Sequence, residues 1–159
     1  MSSTVIRIQR EDFDVTNEID RLRKLTGQIG AVVTFSGICR DDGGALLALE
    51  LEHYPGMAER AIAAVVGDAL ERWPLQAVTV IHRYGRIPAK ENIVLVVTAS
   101  AHRQAAFDGA SFIMDFLKSK APFWKKLINS DGHDGGWVDA KESDDEAMRR
   151  WSVTESFER

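Results

Sequence analysis

The chain has 159 residues, 45% of them hydrophobic, and carries a formal net charge of -4 at pH 7. This length and composition predict one globular domain with its own core, and the acidic balance argues against the broad Lys-rich and Arg-rich surface that nucleic-acid binding requires. Because the opening stretch MSSTVIRIQRED has no apolar core, and no apolar run approaches the roughly 20 residues that span a bilayer, we expect a soluble, cytoplasmic protein without a signal peptide.

The first third of the chain predicts two strands separated by a helix, followed by a third strand. TVIRIQ has a strand pattern, and residues 14–25 have a helical one, because Val15, Ile19 and Leu22 recur at helical spacing after the favourable N-cap Asp14. IGAVVTFSGI is rich in β-branched and small residues, which indicates a buried strand. After the polar turn RDDGG, the alternation in ALLALELEH indicates a half-buried strand.

The following segments predict two long helices and two more strands. YPGMAERAIAAVVGDALERW has a helical pattern bounded by prolines. QAVTVIHRYGRI and NIVLVVTAS have strand patterns, and Ser100 is a favourable N-cap for the helix after them. Because Pro122 disfavours helical geometry at the preceding residue, we expect this helix to end near Lys118 or Lys120 and FWKKLI to continue in an extended conformation.

The order of these elements indicates an α+β fold. That order is β-α-β-β-α-β-β-α followed by short strands, and the short turns between neighbouring strands favour a mainly antiparallel sheet with helices packed on it. NSDGHDGG predicts a flexible loop, and Ser143 with Glu146 matches a capping box before a short helix. We therefore predict a single domain over residues 1–159, in which residues 142–159 form a short C-terminal helix and tail.

The segment SAHRQ places two basic residues, His102 and Arg103, in the first turn of a predicted helix. Free backbone amides and the positive end of the helix dipole make this position favourable for an anion. Cations there are unfavourable by about 0.3 to 1 kcal/mol, which suggests that they serve a ligand rather than stability. A surface ion pair between Arg103 and a carboxylate is an equally good interpretation.

The segment FLKSKAPFWKK, residues 116–126, concentrates four lysines and three aromatic rings around one proline. Lys118 falls in the last turn of a predicted helix, and Lys125 follows the proline on an extended segment, so both amines can approach one corner. The rings of Phe123 and Trp124 can desolvate a lysine and lower its pKa toward neutrality, as general acid/base catalysis requires. A solvated basic surface is the alternative interpretation, and the sequence favours it slightly.

Arg40 lies in GICRDDGG, where a buried strand leaves the core and enters a glycine turn. The guanidinium group suits bidentate recognition of phosphate or carboxylate. A structural salt bridge to Asp41 or Asp42 is nearly as good an interpretation of this arginine.

The remaining residues with chemical potential favour structural roles. Cys39 is the only cysteine, so no intramolecular disulfide forms, and we interpret it as small apolar filler rather than a nucleophile. His53 and His82 lie within strand patterns, where a hydrogen-bonded structural histidine is the favoured interpretation. Neither paired cysteines nor paired histidines at metal-binding spacing occur, so we expect no metal site.

Five segments, taken in order, resemble the large, catalytic subunit of molybdopterin synthase. They cover the chain from about Ile6 to Trp151 and read FSGICR, LELEHYPGMAER, VIHRYGRI, SAHRQAAFDGASFIMDFLKSKAPFWKK and WVDAKESD. The resemblance implies an enzyme of molybdenum cofactor synthesis that converts cyclic pyranopterin monophosphate into the dithiolene molybdopterin. It implies a small ubiquitin-like carrier whose C-terminal Gly-Gly thiocarboxylate supplies the sulfur. It also implies a homodimer within a heterotetramer, and no metal or organic cofactor.

The same resemblance assigns roles to individual residues. Lys118 matches the family lysine beside the carrier's terminal glycine, and Lys125 matches the second essential lysine. Arg40, His102 and Arg103 match positions that bind the phosphate or pterin.

Two departures from the family pattern affect the expected site. The family commonly has an acidic residue where this chain has Leu127, which alters the surroundings of Lys125. Relatives often have a basic residue beside the tryptophan of the following loop, and Lys141 is the basic group that remains there as a substrate-binding candidate. A non-catalytic subunit that binds the carrier or an anion is therefore the alternative to the enzyme, whereas nucleic-acid binding by the lysines is disfavoured by the acidic balance.

Overall fold

The computed structural model describes residues 2–138, 146–149 and 151, and these contain eight strands, three helices and a short helical stretch at residues 146–149 and 151. The strands are β1 Ser3–Gln9, β2 Ala31–Ile38, β3 Leu46–His53, β4 Leu75–Arg83, β5 Gly85–Pro88, β6 Asn92–Ser100, β7 Phe123–Asn129 and β8 Asp134–Val138. The helices are α1 Val15–Arg23, α2 Met57–Arg72 and α3 Arg103–Ser119.

The first sheet has the strand order β1-β4-β6-β2, with β1 parallel to β4 and the other pairs antiparallel. Its central strands are buried along most of their length because helices cover both faces. Alternate residues point to opposite faces: Val80 and Val96 pack in the core with α2 and α3, whereas Ile81 and Val97 pack in the core with α1.

The second sheet is antiparallel throughout, with the order β5-β3-β7-β8. Tyr84 separates β4 from β5, and Gly85, the first residue of β5, has a φ of +87°, a backbone conformation that favours glycine. The segment QAVTVIHRYGRI, which was predicted as one strand, therefore contributes β4 to the first sheet and β5 to the second.

Helix α3 packs closely on the first sheet because Gly109 has no side chain. A Cβ at this position would lie 2.8 Å from a methyl carbon of Leu75. The helix ends at Ser119, where the amide of Lys120 donates to the carbonyl of Phe116, and β7 begins directly after Pro122. The predicted end of this helix is confirmed.

The α+β fold class, with mostly antiparallel pairing in a single domain, is confirmed, and several local predictions need correction. The hydroxyl of Ser100 donates to the Pro74 carbonyl at 2.9 Å at the end of β6, so His102, not Ser100, is the N-cap of α3. Part of the predicted flexible loop forms β8, which pairs with β7. Residues 146–149 and 151 are helical, whereas Ser143, and with it the predicted capping box, lies outside the described residues.

None of the helices within the described residues has the length and apolar content needed to cross a membrane. Those same residues contain no group of three or more His, Cys, Asp or Glu side chains arranged to hold a metal ion.

Candidate functional site

A cleft with a volume of about 660 Å³ opens where the two sheets meet beside the C-terminal end of α3. The ends of β2, β4 and β6 form one side, β3 and β7 form the other, and the turn after β2 closes one end. This volume lies in the range of small-molecule sites. The cleft is therefore the candidate functional site.

Lys118 and Lys125 both line this cleft, although a helix end and a proline separate them in sequence. Lys118 lies in the last turn of α3, where a cation interacts favourably with the negative end of the helix dipole. Lys125 lies on β7 opposite Leu51 of β3. The change of direction at Pro122 brings the helix end and the strand to the same cavity.

The two faces of β7 differ in chemistry because successive side chains of a strand point in opposite directions. Phe123, Lys125 and Leu127 line the cleft. Lys126 lies on the outer face, where its Nζ is 2.8 Å from Asp134 and 4.7 Å from the centre of the Trp137 ring. The hydrogen bond between Lys126 and Asp134 raises the pKa of the lysine and lowers the pKa of the carboxyl. Two consecutive lysines therefore belong to different surfaces.

Arg40 lines the same cleft from the turn that follows β2. Its Nε lies 3.6 Å from a carboxylate oxygen of Asp42, and both side chains are exposed, so this ion pair contributes little to stability. A shallower groove of about 440 Å³ continues along the same turn to Lys90 and shares Arg40 and Asp42 with the cleft. The guanidinium group is therefore accessible to an anion at the mouth of the cleft.

The charges that line the cleft are three cations, namely Arg40, Lys118 and Lys125, and one carboxylate, Asp42. The remaining lining is largely apolar and includes Leu49, Leu51 and Leu127. Electrostatic attraction to an anion is stronger beside apolar walls than in open water. This arrangement suits a substrate that carries more than one negative charge.

His82 also lines the cleft, and it combines a structural contact with a position at the site. Its Nδ1 lies 2.8 Å from the Arg83 carbonyl oxygen, and its ring stacks on Phe123 with 3.9 Å between ring centres. Burial, with a further contribution from the positive charge of Lys118, lowers its pKa to about 4. The interpretation as a hydrogen-bonded structural histidine holds, but sequence reasoning missed its position beside Lys118.

Cys39 is fully buried at the end of the β2 segment, and its amide and carbonyl pair with residues 90 and 91. Burial raises the pKa of its thiol above the ordinary value. A thiol with a raised pKa and no access to solvent is a poor nucleophile. These features agree with the interpretation of Cys39 as apolar filler.

His102 and Arg103 lie at the opposite end of α3 from Lys118 and do not line the cleft. The helix has 17 residues, so its ends are separated by about 25 Å at 1.5 Å per residue. Both side chains are exposed, and among the residues that the structure describes no carboxylate lies within ion-pair distance of Arg103. Neither residue therefore reaches the cleft of its own chain.

With this geometry established, comparison with known proteins identifies the family. Residues 8–120 match the model of the MoaE protein family, which is more than half of the chain. This chain belongs to the MoaE family. The resemblance found in the sequence is thereby confirmed.

Relatives of known name and structure agree with this membership. A molybdopterin synthase catalytic subunit from Mesorhizobium japonicum is 64% identical over 146 residues, which cover 92% of each chain. The structure of a molybdopterin biosynthesis MoaE protein from Burkholderia ambifaria is 44% identical, with a TM-score of 0.80 and coverage of 96% of this chain and 99% of that one. A complex of subunits 1 and 2 of molybdopterin-converting factor from Helicobacter pylori shares the fold, at 18% identity and a TM-score of 0.69 over 86% of this chain and 90% of that one.

The structure bears differently on Leu127 and Lys141. Leu127 lies on the cleft face of β7, so the departure from the family pattern that the sequence suggests there concerns the cleft directly. Lys141 lies outside the described residues, and its role in substrate binding stays a prediction.

Proposed function

We propose that this chain is the catalytic subunit of molybdopterin synthase, a sulfurtransferase of molybdenum cofactor synthesis. Its substrates are cyclic pyranopterin monophosphate and a small ubiquitin-like carrier whose C-terminal Gly-Gly ends in a thiocarboxylate. The product is the dithiolene molybdopterin. The observation that carries this proposal is the cleft of a MoaE family chain that Arg40, Lys118 and Lys125 line together.

The two lysines have different proposed roles. Lys118 orients the thiocarboxylate and stabilises the negative charge that develops on the acyl oxygen, as preorganised cations do in other acyl-transfer sites. Lys125 transfers protons during sulfur addition and the opening of the cyclic phosphate. Phe123 and Leu127 lie beside Lys125 on the cleft face of β7, which puts an apolar lining next to the proposed proton-transfer group.

The cations of the cleft also reduce repulsion between two anionic substrates. The pterin carries a phosphate, and the carrier tail carries a thiocarboxylate, so both negative groups approach one cavity. Arg40 binds the phosphate at the mouth of the cleft. Because two carriers deliver one sulfur each, phosphate binding retains the intermediate with one sulfur between the two visits.

His102 and Arg103 serve substrate binding from a second copy of the chain. Homodimer formation within a heterotetramer is part of this proposal, and the separation of these residues from their own cleft supports it. Phe107, one turn after Arg103, is 57% exposed. Phe35 lies on β2, which packs against α3, and is 37% exposed. These side chains offer apolar surface for contact between two copies beside the basic end of α3.

The cytoplasm is the proposed location. The sole cysteine, Cys39, is buried and cannot form an intramolecular disulfide, so the fold has no need of an oxidising compartment. Fractionation of cells that express the full chain with a C-terminal tag tests this proposal, and recovery in a secreted fraction would contradict it.

Product formation from purified components tests the function directly. The assay contains this chain, cyclic pyranopterin monophosphate and the thiocarboxylated carrier, and oxidation converts the product to a fluorescent pterin. The matched control is the same carrier ending in an ordinary carboxylate. We expect product only with the thiocarboxylated carrier. Product from the carboxylate carrier as well, or no product from either carrier, contradicts the proposal.

One observation supports a second candidate, a non-catalytic subunit that binds the carrier. Leu127 faces the cleft where relatives commonly have an acidic residue, so the surroundings of Lys125 differ from the family pattern. Carrier binding without product in the assay above favours this candidate. Exchange of Leu127 for Glu is then the first variant to test for gain of activity.

A further inference from the structure

The ring of His82 is fixed on two sides where the first sheet borders the cleft. One face stacks on Phe123 of β7, with the two planes inclined by 12°. The Nδ1 edge contacts the Arg83 carbonyl oxygen at 2.8 Å. The side chain is 8% exposed and lines the same cleft as Lys118. The imidazole is therefore held in one orientation at the wall of the site.

These contacts also determine which ring nitrogen carries the proton. A carbonyl oxygen only accepts hydrogen bonds, so Nδ1 must be the donor. Because the pKa of His82 is lowered to about 4, the ring is neutral at pH 7, and Nε2 holds a lone pair. Nε2 is the ring nitrogen that does not contact the Arg83 carbonyl, so it is the one that can accept a hydrogen bond in the cleft that His82 lines.

We propose that His82 is a positioning residue for Lys118, whose ammonium group donates a hydrogen bond to the Nε2 lone pair of His82 when the carrier tail is bound. Lysine has a flexible four-carbon side chain, and Lys118 is exposed at the end of α3, so without a fixed acceptor it samples many orientations. A neutral acceptor holds the ammonium without cancelling its charge, which a carboxylate would do. The inference rests on the function proposed above and extends it to a residue outside the two lysines.

The stacking partner links this contact to the second lysine. Phe123 lies two residues before Lys125 on the cleft face of β7, so the stacked rings connect the strand of Lys125 to the neighbourhood of Lys118. Displacement of the His82 ring is therefore expected to disturb both ends of the site. Misplacement of a catalytic group by a small distance is sufficient to reduce a rate strongly.

Three variants separate positioning from a structural role. His82→Phe keeps a ring to stack on Phe123 and removes both nitrogens, and His82→Asn keeps a donor for the Arg83 carbonyl and removes the acceptor at Nε2. His82→Gln loses the ring but offers an amide oxygen near the position of Nε2. A structural role predicts that the His82→Phe variant retains more activity than the His82→Gln variant. The positioning role predicts that His82→Gln retains more.

We expect kcat to fall roughly 10-fold to 100-fold in the His82→Phe and His82→Asn variants, because each loses one hydrogen bond to a charged group. The KM for the carrier should not change. The kcat of His82→Gln should be higher than that of either variant. Circular dichroism verifies folding, and the Asn variant decides the comparison if the Phe variant does not fold. Native kcat in the Asn or Phe variant, or the lowest kcat in Gln, overturns the inference while the function stands. Absence of product from the native chain contradicts the function itself.

A second measurement does not depend on activity. The nitrogen-15 resonance of His82 Nε2 is recorded in the complex with the carrier, for the native chain and for Lys118→Ala. We expect the native resonance to show a hydrogen-bonded lone pair and the variant resonance to move toward the value of a free lone pair. Identical resonances in the two proteins overturn the inference.

Discussion

The two ends of α3 carry basic residues of similar appearance in sequence but in very different surroundings. At the C-terminal end, Lys118 lines a cleft with Lys125, Arg40 and His82. At the N-terminal end, His102 and Arg103 are exposed and do not line the cleft. Basic residues at a helix end therefore indicate an anion site only when a second element brings partners to the same place. The strand β7 does this for Lys118.

After Lys118 itself, the second lysine at the cleft end is the residue whose loss gives the largest expected effect. Lys125→Ala removes the proposed proton-transfer group, and we expect product formation to fall by at least about 100-fold, the usual contribution of such a group. Lys126→Ala is the matched control, because this neighbouring side chain faces Asp134 and Trp137 on the outer surface. Equal losses in the two variants would contradict the assignment of the two faces of β7.

At the other end of the helix, Arg103→Ala is expected to reduce activity by about 10-fold, the loss of one charged hydrogen bond to substrate. If Arg103 acts from a second copy, a mixture of Arg103→Ala and Lys118→Ala chains regains activity, because mixed dimers contain one site with both native residues. Each variant alone and their double variant are the controls. A mixture no more active than its components contradicts the contribution from a second copy.

Titration of His82 predicts a smaller effect on stability. Its pKa is lowered from 6.5 to about 4 by burial, with Lys118 and His53 contributing, so the unfolded chain binds a proton that the folded chain does not. The contribution of His82 to the free energy of unfolding is therefore fully present above pH 6.5 and is lost as the pH falls from 6.5 toward 4. Between pH 7 and pH 5.5 we expect a loss of about 1 kcal/mol from this group.

Urea unfolding at these two pH values measures the His82 contribution. His82→Phe is the control, since it retains every other titrating group of the chain. The native protein is expected to lose about 1 kcal/mol more than this variant. The same pH dependence in both proteins would show that His82 is not the group responsible.

The smallest predicted effect concerns Leu127. Leu127→Glu places a carboxylate on the cleft face of β7, two residues after Lys125. A neighbouring negative charge favours the ammonium form and raises the lysine pKa. The limb of the rate profile that reports Lys125 should therefore move to higher pH by less than about one unit. A limb that stays in place, or moves to lower pH, contradicts the role of Lys125 in proton transfer.

The elements were predictable where local signals are strong. Asp14 accepts a hydrogen bond from the amide of Asn17 as its N-cap position predicts, and Pro122 limits α3 as expected. The patterns of β4 and β6 likewise predicted strands. These features depend on residues close together in the chain, which is the range over which sequence patterns carry information. The prediction that IGAVVTFSGI is a buried strand was wrong, because it forms the edge strand β2, in which no residue is buried.

The arrangement of the site was only partly predictable. The sequence suggested that Lys118 and Lys125 approach one corner, and the structure has both in one cleft. The stack of His82 on Phe123 joins residues 41 positions apart in different sheets, and no local pattern indicates it. The division of VIHRYGRI between two sheets at Gly85 was missed for a related reason, because the strand pattern continues through the glycine.

The central claim is that sulfur transfer takes place at the Lys118 end of α3. A single-turnover measurement of sulfur transfer from the thiocarboxylated carrier, with the native chain, Lys118→Ala and Lys120→Ala, tests it most directly. Lys120 is exposed, directly follows the last residue of α3 and does not line the cleft. We predict transfer by the native chain and by Lys120→Ala, and none by Lys118→Ala with the carrier still bound. Native transfer by Lys118→Ala would contradict the account.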